Sequence, residues 1–187
     1  DKLNALQGIY RGPEHEDEMV GYLPHCTFNL NPRAASIDTP LHAYLPFAHV
    51  DHMHPDSVIA IAAMANSEAI TREAFGSTIG WLPWRRPGYE LGLQLQRYVA
   101  ANPSLKGLVL GGHGLFTWGD DSRSCYENTV AVIAQAQTWL AEQAQARNAV
   151  PFGGAKVTAL DATAQDAVLA KLLPVLRGQA SQSGHKL

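Results

Sequence analysis

Apolar residues recur along this chain with two different periods. The runs at 107–112 and 115–119 are apolar almost throughout, which is typical of buried strands. The segment from 87 to 103 carries leucines and a valine at helical spacing and predicts an amphipathic helix. Because segments of the two kinds alternate along the chain, we expect an α/β layered fold with a central sheet.

Turn and capping residues place the ends of these elements. Gly76 ends one helix, and Asp120 or Asp121 begins the longest helix, since an aspartate there can accept hydrogen bonds from free backbone N–H groups. A loop is predicted over 29–36 and a loose polar tail over 179–187. The pattern predicts strands over 48–54, 79–84, 107–112 and 115–119, and helices over 1–10, 14–23, 40–45, 55–65, 70–75, 87–103, 122–146 and 162–176.

Composition is typical of a globular chain. Its 187 residues are enough for one sizeable core, and 46% hydrophobic with 17% charged residues is the balance of a soluble protein. No repeat or linker divides the sequence, so we predict a single domain over residues 1–187. The chain opens at Asp1 without a methionine, and we expect it to lack the N-terminal part of that domain.

Charge and cysteine content argue against several kinds of partner. The net charge of −3 gives no reason to expect nucleic acid or a membrane surface as a partner. No apolar run reaches the roughly 18 residues that cross a bilayer. The two cysteines, Cys26 and Cys125, are far apart in the sequence and form neither a disulfide framework nor a metal-binding pair. We therefore expect a cytoplasmic protein.

Histidines are concentrated in one short segment. His52 and His54 are two residues apart on a predicted strand, so both side chains point to the same face. They would form part of a metal site, and a catalytic zinc site usually takes a third protein ligand. His113 is the best candidate, because it follows a buried strand and has glycines on both sides that let the backbone turn sharply.

Other interpretations of these histidines stay open. A lone pair of this spacing is a weak sign of metal binding, and the Gly-Gly-His-Gly sequence is also explained as a tight turn. His49 is a rival ligand, but it lies three residues before His52 and falls on the other face of a strand. His42 is expected to shape the site or to pack beside it.

Three neutral imidazoles would leave a bound divalent metal with its full positive charge. Such an ion acts as a Lewis acid that polarises a carbonyl and holds a developing oxyanion. Imidazoles suit zinc, copper, iron or nickel better than magnesium or calcium. We therefore predict Zn²⁺, with another divalent transition metal as the alternative.

Three segments together resemble the class II aldolase/adducin family: SIDTPLHAYLPFAHVDHMHPDS, GWLPWRRPG and GGHGLFTWGD. In particular, they resemble the rhamnulose-1-phosphate aldolase domain of bifunctional aldolase/short-chain dehydrogenase proteins. The resemblance implies a three-layer α/β/α domain with a mostly antiparallel or mixed central sheet. It also implies zinc held by His52, His54 and His113, and assembly as a homotetramer or another homo-oligomer.

The same resemblance implies an acid/base carboxylate and a phosphate site. Asp38 matches the acidic residue of the family, which usually carries glutamate there, and Ser36 matches part of the phosphate site. The alternative for Asp38 is capping of the helix that begins at Thr39 and Pro40. The glycine- and asparagine-containing loop of the phosphate site is expected before Asp1.

The activity implied is that of a lyase. It would cleave a ketose 1-phosphate such as rhamnulose 1-phosphate, a small phosphorylated sugar, to dihydroxyacetone phosphate and an aldehyde, with the enediolate charge held by the metal. The alternatives are a sugar-phosphate epimerase or dehydratase on the same metal site, or a non-catalytic adducin-like binding module. No dinucleotide-binding GxGxxG motif is present. Two interpretations also stay open for Trp81, Trp84, Arg85 and Arg86: a ligand wall or subunit contact, or core tryptophans beside a solvated basic surface.

Overall fold

A four-stranded sheet organises the first part of the chain. The computed structural model describes residues 1–28, 33–150 and 153–181, which divide into two compact units, Asp1–Gln143 and Ala144–Leu187. The strands are β1 His49–Met53, β2 Ile79–Leu82, β3 Gly107–Leu110 and β4 Gly114–Gly119. The helices are α1 Lys2–Leu6, α2 Glu16–Tyr22, α3 Thr39–Ala43, α4 Asp56–Ala62, α5 Ser67–Phe75, α6 Tyr89–Ala101, α7 Ser122–Ala146 and α8 Ala162–Ala180, with 3-10 turns at Pro13–His15 and Leu23–Cys26.

Most predicted elements are confirmed, but several of their ends differ from the prediction. The helix predicted over 1–10 ends at Leu6, and the strand predicted over 79–84 ends at Leu82. The strand predicted over 48–54 ends at Met53, so His54 lies just outside it. The last helix was predicted to end at Arg177 and Gly178, but it continues to Ala180. A single glycine such as Gly178 lowers helix stability without necessarily ending the helix. The predicted loop over 29–36 and the predicted tail over 179–187 lie partly outside the described residues.

The sheet is mixed. Its strand order is β1-β4-β3-β2, with β1 and β3 antiparallel to β4 and with β2 parallel to β3. The antiparallel pair β3–β4 is joined by a short turn, whereas the parallel pair β2–β3 needs the long crossover that contains α6. The expected mixed sheet is therefore confirmed.

Alternating side chains on the strands build two cores, one on each face of the sheet. Leu108 and Phe116 face α3 and α6, whereas Val109 and Leu115 face α4, α5 and α7. All four side chains are fully buried. Helices on both faces of one sheet give the three-layer α/β/α arrangement that was expected. The prediction of a single domain over residues 1–187 stays a prediction.

Close packing of α3 on α6 fixes the helix that carries His42 and that Asp38 directly precedes. A Cβ atom at Gly92 of α6 would lie 3.0 Å from the carbonyl carbon of Pro40. The absence of a side chain at Gly92 therefore lets the two helices approach closely. Within the described ranges, no helix combines the length and the apolar character needed to span a bilayer.

Asp121, and not Asp120, caps the longest helix. Its Oδ1 accepts hydrogen bonds from the backbone N–H groups of Arg123 and Ser124, both at 2.9 Å. These hydrogen bonds from Ser124 and Arg123, with Ser124 contributing most, hold the pKa of Asp121 below its ordinary value. The ionised carboxylate is thus stabilised in the folded protein.

Replacement of Asp121 by alanine should lower the melting temperature by a small amount at pH 7, whereas Asp120→Ala should not. Because the pKa is lowered by folding, the contribution of Asp121 is present above the unfolded aspartate pKa of about 3.9 and is lost as pH falls below it. The Asp121→Ala difference should therefore shrink in thermal melts recorded below about pH 4. An equal loss in both variants at pH 7 would contradict the assignment of the cap.

Candidate metal centre

The three predicted metal ligands meet where β1 pairs with β4. The antiparallel register places His52 opposite Phe116, while His54 follows the end of β1. His113 lies in the turn between β3 and β4. One ligand nitrogen of each histidine lies within 4.8 Å of the other two, so this group could hold a metal ion.

His52 is fixed both by its ring face and by one nitrogen. Its ring stacks on Phe116 with centroids 4.1 Å apart and an interplanar angle of 10°. Its Nδ1 lies 3.0 Å from the Leu115 carbonyl oxygen. Because a carbonyl only accepts, Nδ1 carries the hydrogen and Nε2 keeps a free lone pair. Within the described residues, the buried Nε2 has no hydrogen-bond partner, which fits a nitrogen that binds a metal.

His54 needs the glycine that begins β4. A Cβ atom at Gly114 would lie 2.5 Å from Cδ2 of His54 and 2.9 Å from the Met53 carbonyl oxygen. Neither contact is compatible with a side chain at that position. With glycine there, the His54 ring centroid lies 4.6 Å from that of His52 and 5.1 Å from that of His113.

The turn that carries His113 is held by backbone hydrogen bonds. The His113 N–H donates to the Leu110 carbonyl at 3.0 Å, and the Gly112 N–H donates to the Ala62 carbonyl of α4 at 2.8 Å. Gly112 has a φ of +64°, a left-handed conformation that favours glycine. Nδ1 of His113 is buried and makes no hydrogen bond to any described residue, so it matches His52 as an unpaired nitrogen.

Burial keeps two of the three imidazoles neutral. It lowers the pKa of His52 to about 4, against a smaller opposing effect of the hydrogen bond to the Leu115 carbonyl. Burial also lowers the pKa of His113, with His54 as a further cause. Neutral imidazoles have lone pairs to offer at neutral pH, which is the form that a metal requires.

Asp38 lies beside the histidines and does not cap its helix. It precedes α3, but its side chain makes no capping hydrogen bond, so the capping alternative is wrong. Oδ2 accepts a hydrogen bond from Ser36 Oγ at 3.3 Å, and the Asp38 N–H donates to the same Oγ at 3.1 Å. Oδ1 is buried and has no partner among the described residues. The charge of Asp38 acts on His52 and His113, whose pKa values it raises against the effect of burial.

A cavity of about 550 Å³ is lined by both Asp38 and His52. One part of its wall is polar and includes Ser36, Asp38 and His52, and the remainder is mainly apolar. The complete lining is Ser36, Asp38, Thr39, His42, Ala43, Phe47, Ala48, Val50 and His52. A volume of this size accommodates a small molecule beside His52.

The other two histidines near β1 differ in position. His49 is exposed at the start of β1, pairs with Gly119 and lies outside the three-histidine group. His42 lines the cavity, with its ring centroid 6.3 Å from that of His52 and 5.4 Å from that of Phe116. His42 therefore borders the site, as the sequence led us to expect.

The tryptophan–arginine segment splits between core and surface. Trp81 is half-buried against the core, and its Nε1 donates a hydrogen bond to Ser67 Oγ at 2.9 Å. Trp84 is 62% exposed, Arg85 is also exposed, and Arg86 forms an exposed ion pair with Asp17. Of the two tryptophans that were expected in the core, only Trp81 packs there, and both arginines are exposed as that interpretation expected.

Two contacts at the site were not predicted from the sequence. His52 makes both contacts with residues of β4: its ring stacks on Phe116, and its Nδ1 donates a hydrogen bond to the Leu115 carbonyl. This strand directly follows the turn that carries His113. One sequence feature could have indicated these contacts: an apolar strand follows His113 and Gly114 directly. This strand pairs with the strand that carries His52, so its residues lie next to His52.

Comparison with known proteins agrees with this geometry. Residues 16–140 match the family described as the Class II Aldolase and Adducin N-terminal domain. The chain belongs to this family. A class II aldolase/adducin domain thus accounts for most of the unit that contains the sheet and the histidines.

Two relatives of this class II aldolase/adducin domain illustrate its setting. The chain is 36% identical over 182 residues to the uncharacterized oxidoreductase YuxG of Bacillus subtilis (strain 168). This match covers 97% of this chain and 26% of that protein. The chain is 26% identical to the N-terminal class II aldolase domain of a conserved protein from Thermoplasma acidophilum, with a TM-score of 0.66. That match covers 75% of this chain and 63% of the other. The chain therefore spans about a quarter of the curated relative.

His113 and His49 form a matched pair for a metal-binding test. We expect His113→Ala to weaken Co²⁺ or Zn²⁺ binding by at least about 100-fold, because one of three ligands is removed. His49→Ala should leave the affinity within about twofold of the original protein, since His49 lies outside the group. Titration of metal-free protein with Co²⁺, followed by its visible absorption, measures both. Equal affinities in the two variants would contradict the ligand set.

Proposed function

We propose that this domain is a zinc-dependent class II aldolase, a carbon–carbon lyase that cleaves a ketose 1-phosphate to dihydroxyacetone phosphate and an aldehyde. Rhamnulose 1-phosphate is the first substrate to test. The observation that carries the proposal is the unpaired Oδ1 of Asp38, a residue that lines the same cavity as His52 of the three-histidine group. A carboxylate free to accept a proton beside a metal site is what carbon–carbon cleavage requires.

The donor set supports zinc as the metal. His52, His54 and His113 offer three nitrogens, two of them buried and unpaired, and catalytic zinc usually takes three protein ligands with one position left open. Bound there, zinc would supply Lewis-acid stabilisation of the negative charge that develops on a substrate oxygen. The hydrogen bond from His52 Nδ1 to the Leu115 carbonyl keeps Nε2 directed to the site.

Asp38 would move the proton in both halves of the reaction. As a carboxylate it accepts the proton from the hydroxyl on the carbon that becomes the aldehyde. The neighbouring carbon–carbon bond then breaks, and its electron pair remains with the ketose phosphate fragment. Asp38 then gives the proton to the carbon of the ketose phosphate fragment that kept this electron pair, so the substrate is split without any net gain or loss of protons. The hydrogen bond from Ser36 Oγ holds the carboxylate in place.

The resemblance to rhamnulose-1-phosphate aldolase domains supports the remaining assignments. Ser36 would contribute to binding of the substrate phosphate, and the protein would assemble as a homotetramer or another homo-oligomer. The Bacillus relative is named an oxidoreductase, and its full length is about four times that of the region matched by this chain. Both facts support a place for this chain among bifunctional aldolase/dehydrogenase proteins. Both cysteines, Cys26 and Cys125, are free thiols, in agreement with the expected cytoplasmic setting.

An aldol-cleavage assay on Asp38 variants tests the proposed function. We expect the zinc-loaded protein to release dihydroxyacetone phosphate from rhamnulose 1-phosphate, and Asp38→Asn to lower kcat at least about 100-fold, because the amide cannot accept the proton. Zinc content should be unchanged, since Asp38 is not among the three ligands. Asp38→Glu should retain activity, because it keeps the carboxylate.

Asp120→Asn is the matched control, since Asp120 is an exposed aspartate that does not line the cavity. Its kcat should equal that of the unchanged protein. Full activity in Asp38→Asn would remove Asp38 from the mechanism. Absence of cleavage for every ketose 1-phosphate tested, in protein that holds zinc, would overturn the aldolase assignment.

A further inference from the structure

Strand β1 is paired along one edge only within the described residues. It forms a ladder with β4 and with no other described strand, so it lies at one end of the sheet. The same strand carries His52, and His54 follows its last residue. Because an edge strand has a ladder on one side only, side-chain contacts on its two faces contribute more to its position. Those contacts therefore bear on where both histidines lie.

The Asp51 side chain joins β1 to helix α7 on the face away from His52. Its Oδ2 accepts a hydrogen bond from Thr129 Oγ1 of α7 at 2.8 Å. Thr129 Oγ1 also lies 2.6 Å from Thr117 Oγ1 of β4. Asp51 and Thr117 are themselves partners in the β1–β4 ladder. These three side chains thus connect β1, β4 and α7 at one point.

The direction of these hydrogen bonds follows from the single hydrogen of each hydroxyl. A carboxylate only accepts, so Thr129 donates to Asp51, and its oxygen accepts the hydrogen of Thr117. The Cys125 carbonyl, 2.9 Å from Thr129 Oγ1, is the weaker acceptor because it carries no charge. Donors in such a chain polarise one another. Both threonines are buried, so water does not replace a lost partner.

The Cys125 thiol is a second donor to the same carboxylate. Burial raises the pKa of this thiol, and the negative charge of Asp51 and a hydrogen bond to it raise the pKa further. The thiol therefore stays protonated at neutral pH and donates to Asp51. Cys125 and Thr129 are four residues apart on α7, so they lie on one face of the helix.

The neighbouring residue His52 is held on the other face of β1 by the Leu115 carbonyl and the Phe116 ring. Adjacent residues of a strand share a peptide unit, and their side chains point to opposite faces. A shift of Asp51 therefore moves His52 and, two residues further, His54. Ligands of a metal site must stay within about 0.5 Å of the required geometry.

We propose that Asp51 is a positioning residue for the metal ligands His52 and His54, and that it acts through the Thr117–Thr129–Asp51 hydrogen-bond chain that ties β1 to α7. This inference rests on the metal site of the proposed function. Asp51 is not one of the three histidine-group ligands and does not line the cavity that contains Asp38. Its role is therefore to place other groups, without contact to metal or substrate.

Co²⁺ titration of Thr129 variants tests this role. Thr129→Val keeps the shape of the side chain but removes the hydroxyl. We expect it to weaken Co²⁺ binding about tenfold, and to change the intensity of the visible Co²⁺ bands, because the ligands are less well placed. Thr129→Ser retains a hydroxyl and should keep both the affinity and the spectrum, within about twofold of the original protein.

A double-variant cycle shows whether Asp51 and Thr129 act through one interaction. Asp51→Ala should weaken Co²⁺ binding at least as much as Thr129→Val, since it removes the acceptor of both α7 donors. The two changes remove the same hydrogen bond, so the double variant should bind Co²⁺ about as well as Asp51→Ala alone. Independent effects would instead multiply to about 100-fold or more.

Val132→Ala is the matched control for loss of packing by α7. Val132 is buried on the same helix, three residues after Thr129, and packs in the core without a hydrogen bond to β1. Its truncation should lower the melting temperature, because it leaves a cavity. Co²⁺ affinity and spectrum should nevertheless stay within about twofold of the original protein. Thermal melts set a titration temperature at which every variant is folded.

Three results would overturn the proposal in protein that binds Co²⁺, and they leave the proposed function standing. The first is an unchanged affinity and spectrum in both Thr129→Val and Asp51→Ala. The second is an equal loss of affinity in Val132→Ala. The third is failure of Thr129→Ser to retain what Thr129→Val loses, or multiplication of the two losses in the double variant. Absence of Co²⁺ binding by the original protein would instead overturn the metal site, and the proposed function with it.

Discussion

The antiparallel pairing of β1 with β4 is the constraint on which the site depends. It sets His52 over Phe116 and brings the end of β1 against the turn that carries His113. Because side chains alternate along a strand, a slip of one residue would turn His52 to the opposite face. On that opposite face, Thr129 of α7 donates a hydrogen bond to the Asp51 side chain at 2.8 Å, which holds β1 in this register. The register that assembles the histidines is therefore held from both sides of the sheet.

The chemistry of the site follows from burial next to one carboxylate. Burial favours neutral imidazoles and leaves nitrogens of His52 and His113 without hydrogen-bond partners. Asp38 adds a negative charge and an unpaired oxygen beside the same cavity. Three lone pairs for a cation and one base at the edge of a cavity form an arrangement suited to metal-assisted proton transfer and bond cleavage. Membership of the class II aldolase/adducin family agrees with this arrangement.

The sequence predicts the ligands better than the geometry that holds them. Periodicity and turn residues were sufficient for the strands and helices, and the glycines around His113 pointed to the third histidine. The contacts that orient His52 come from β4, and pairing between distant strands is not encoded in local spacing. The end of β1 before His54 was also missed, because the alternating pattern continues past the last ladder pair. Asp38 resembled a helix cap in sequence, and only its missing hydrogen bond separates the two roles.

The central claim is that three imidazoles bind one metal ion. Zinc K-edge X-ray absorption on protein loaded with one equivalent of Zn²⁺ tests it most directly. The account predicts three imidazole nitrogens at about 2.0–2.1 Å and at least one further light atom that is not from the protein. A sulfur ligand near about 2.3 Å, or fewer than three imidazoles in the first coordination sphere, would contradict it.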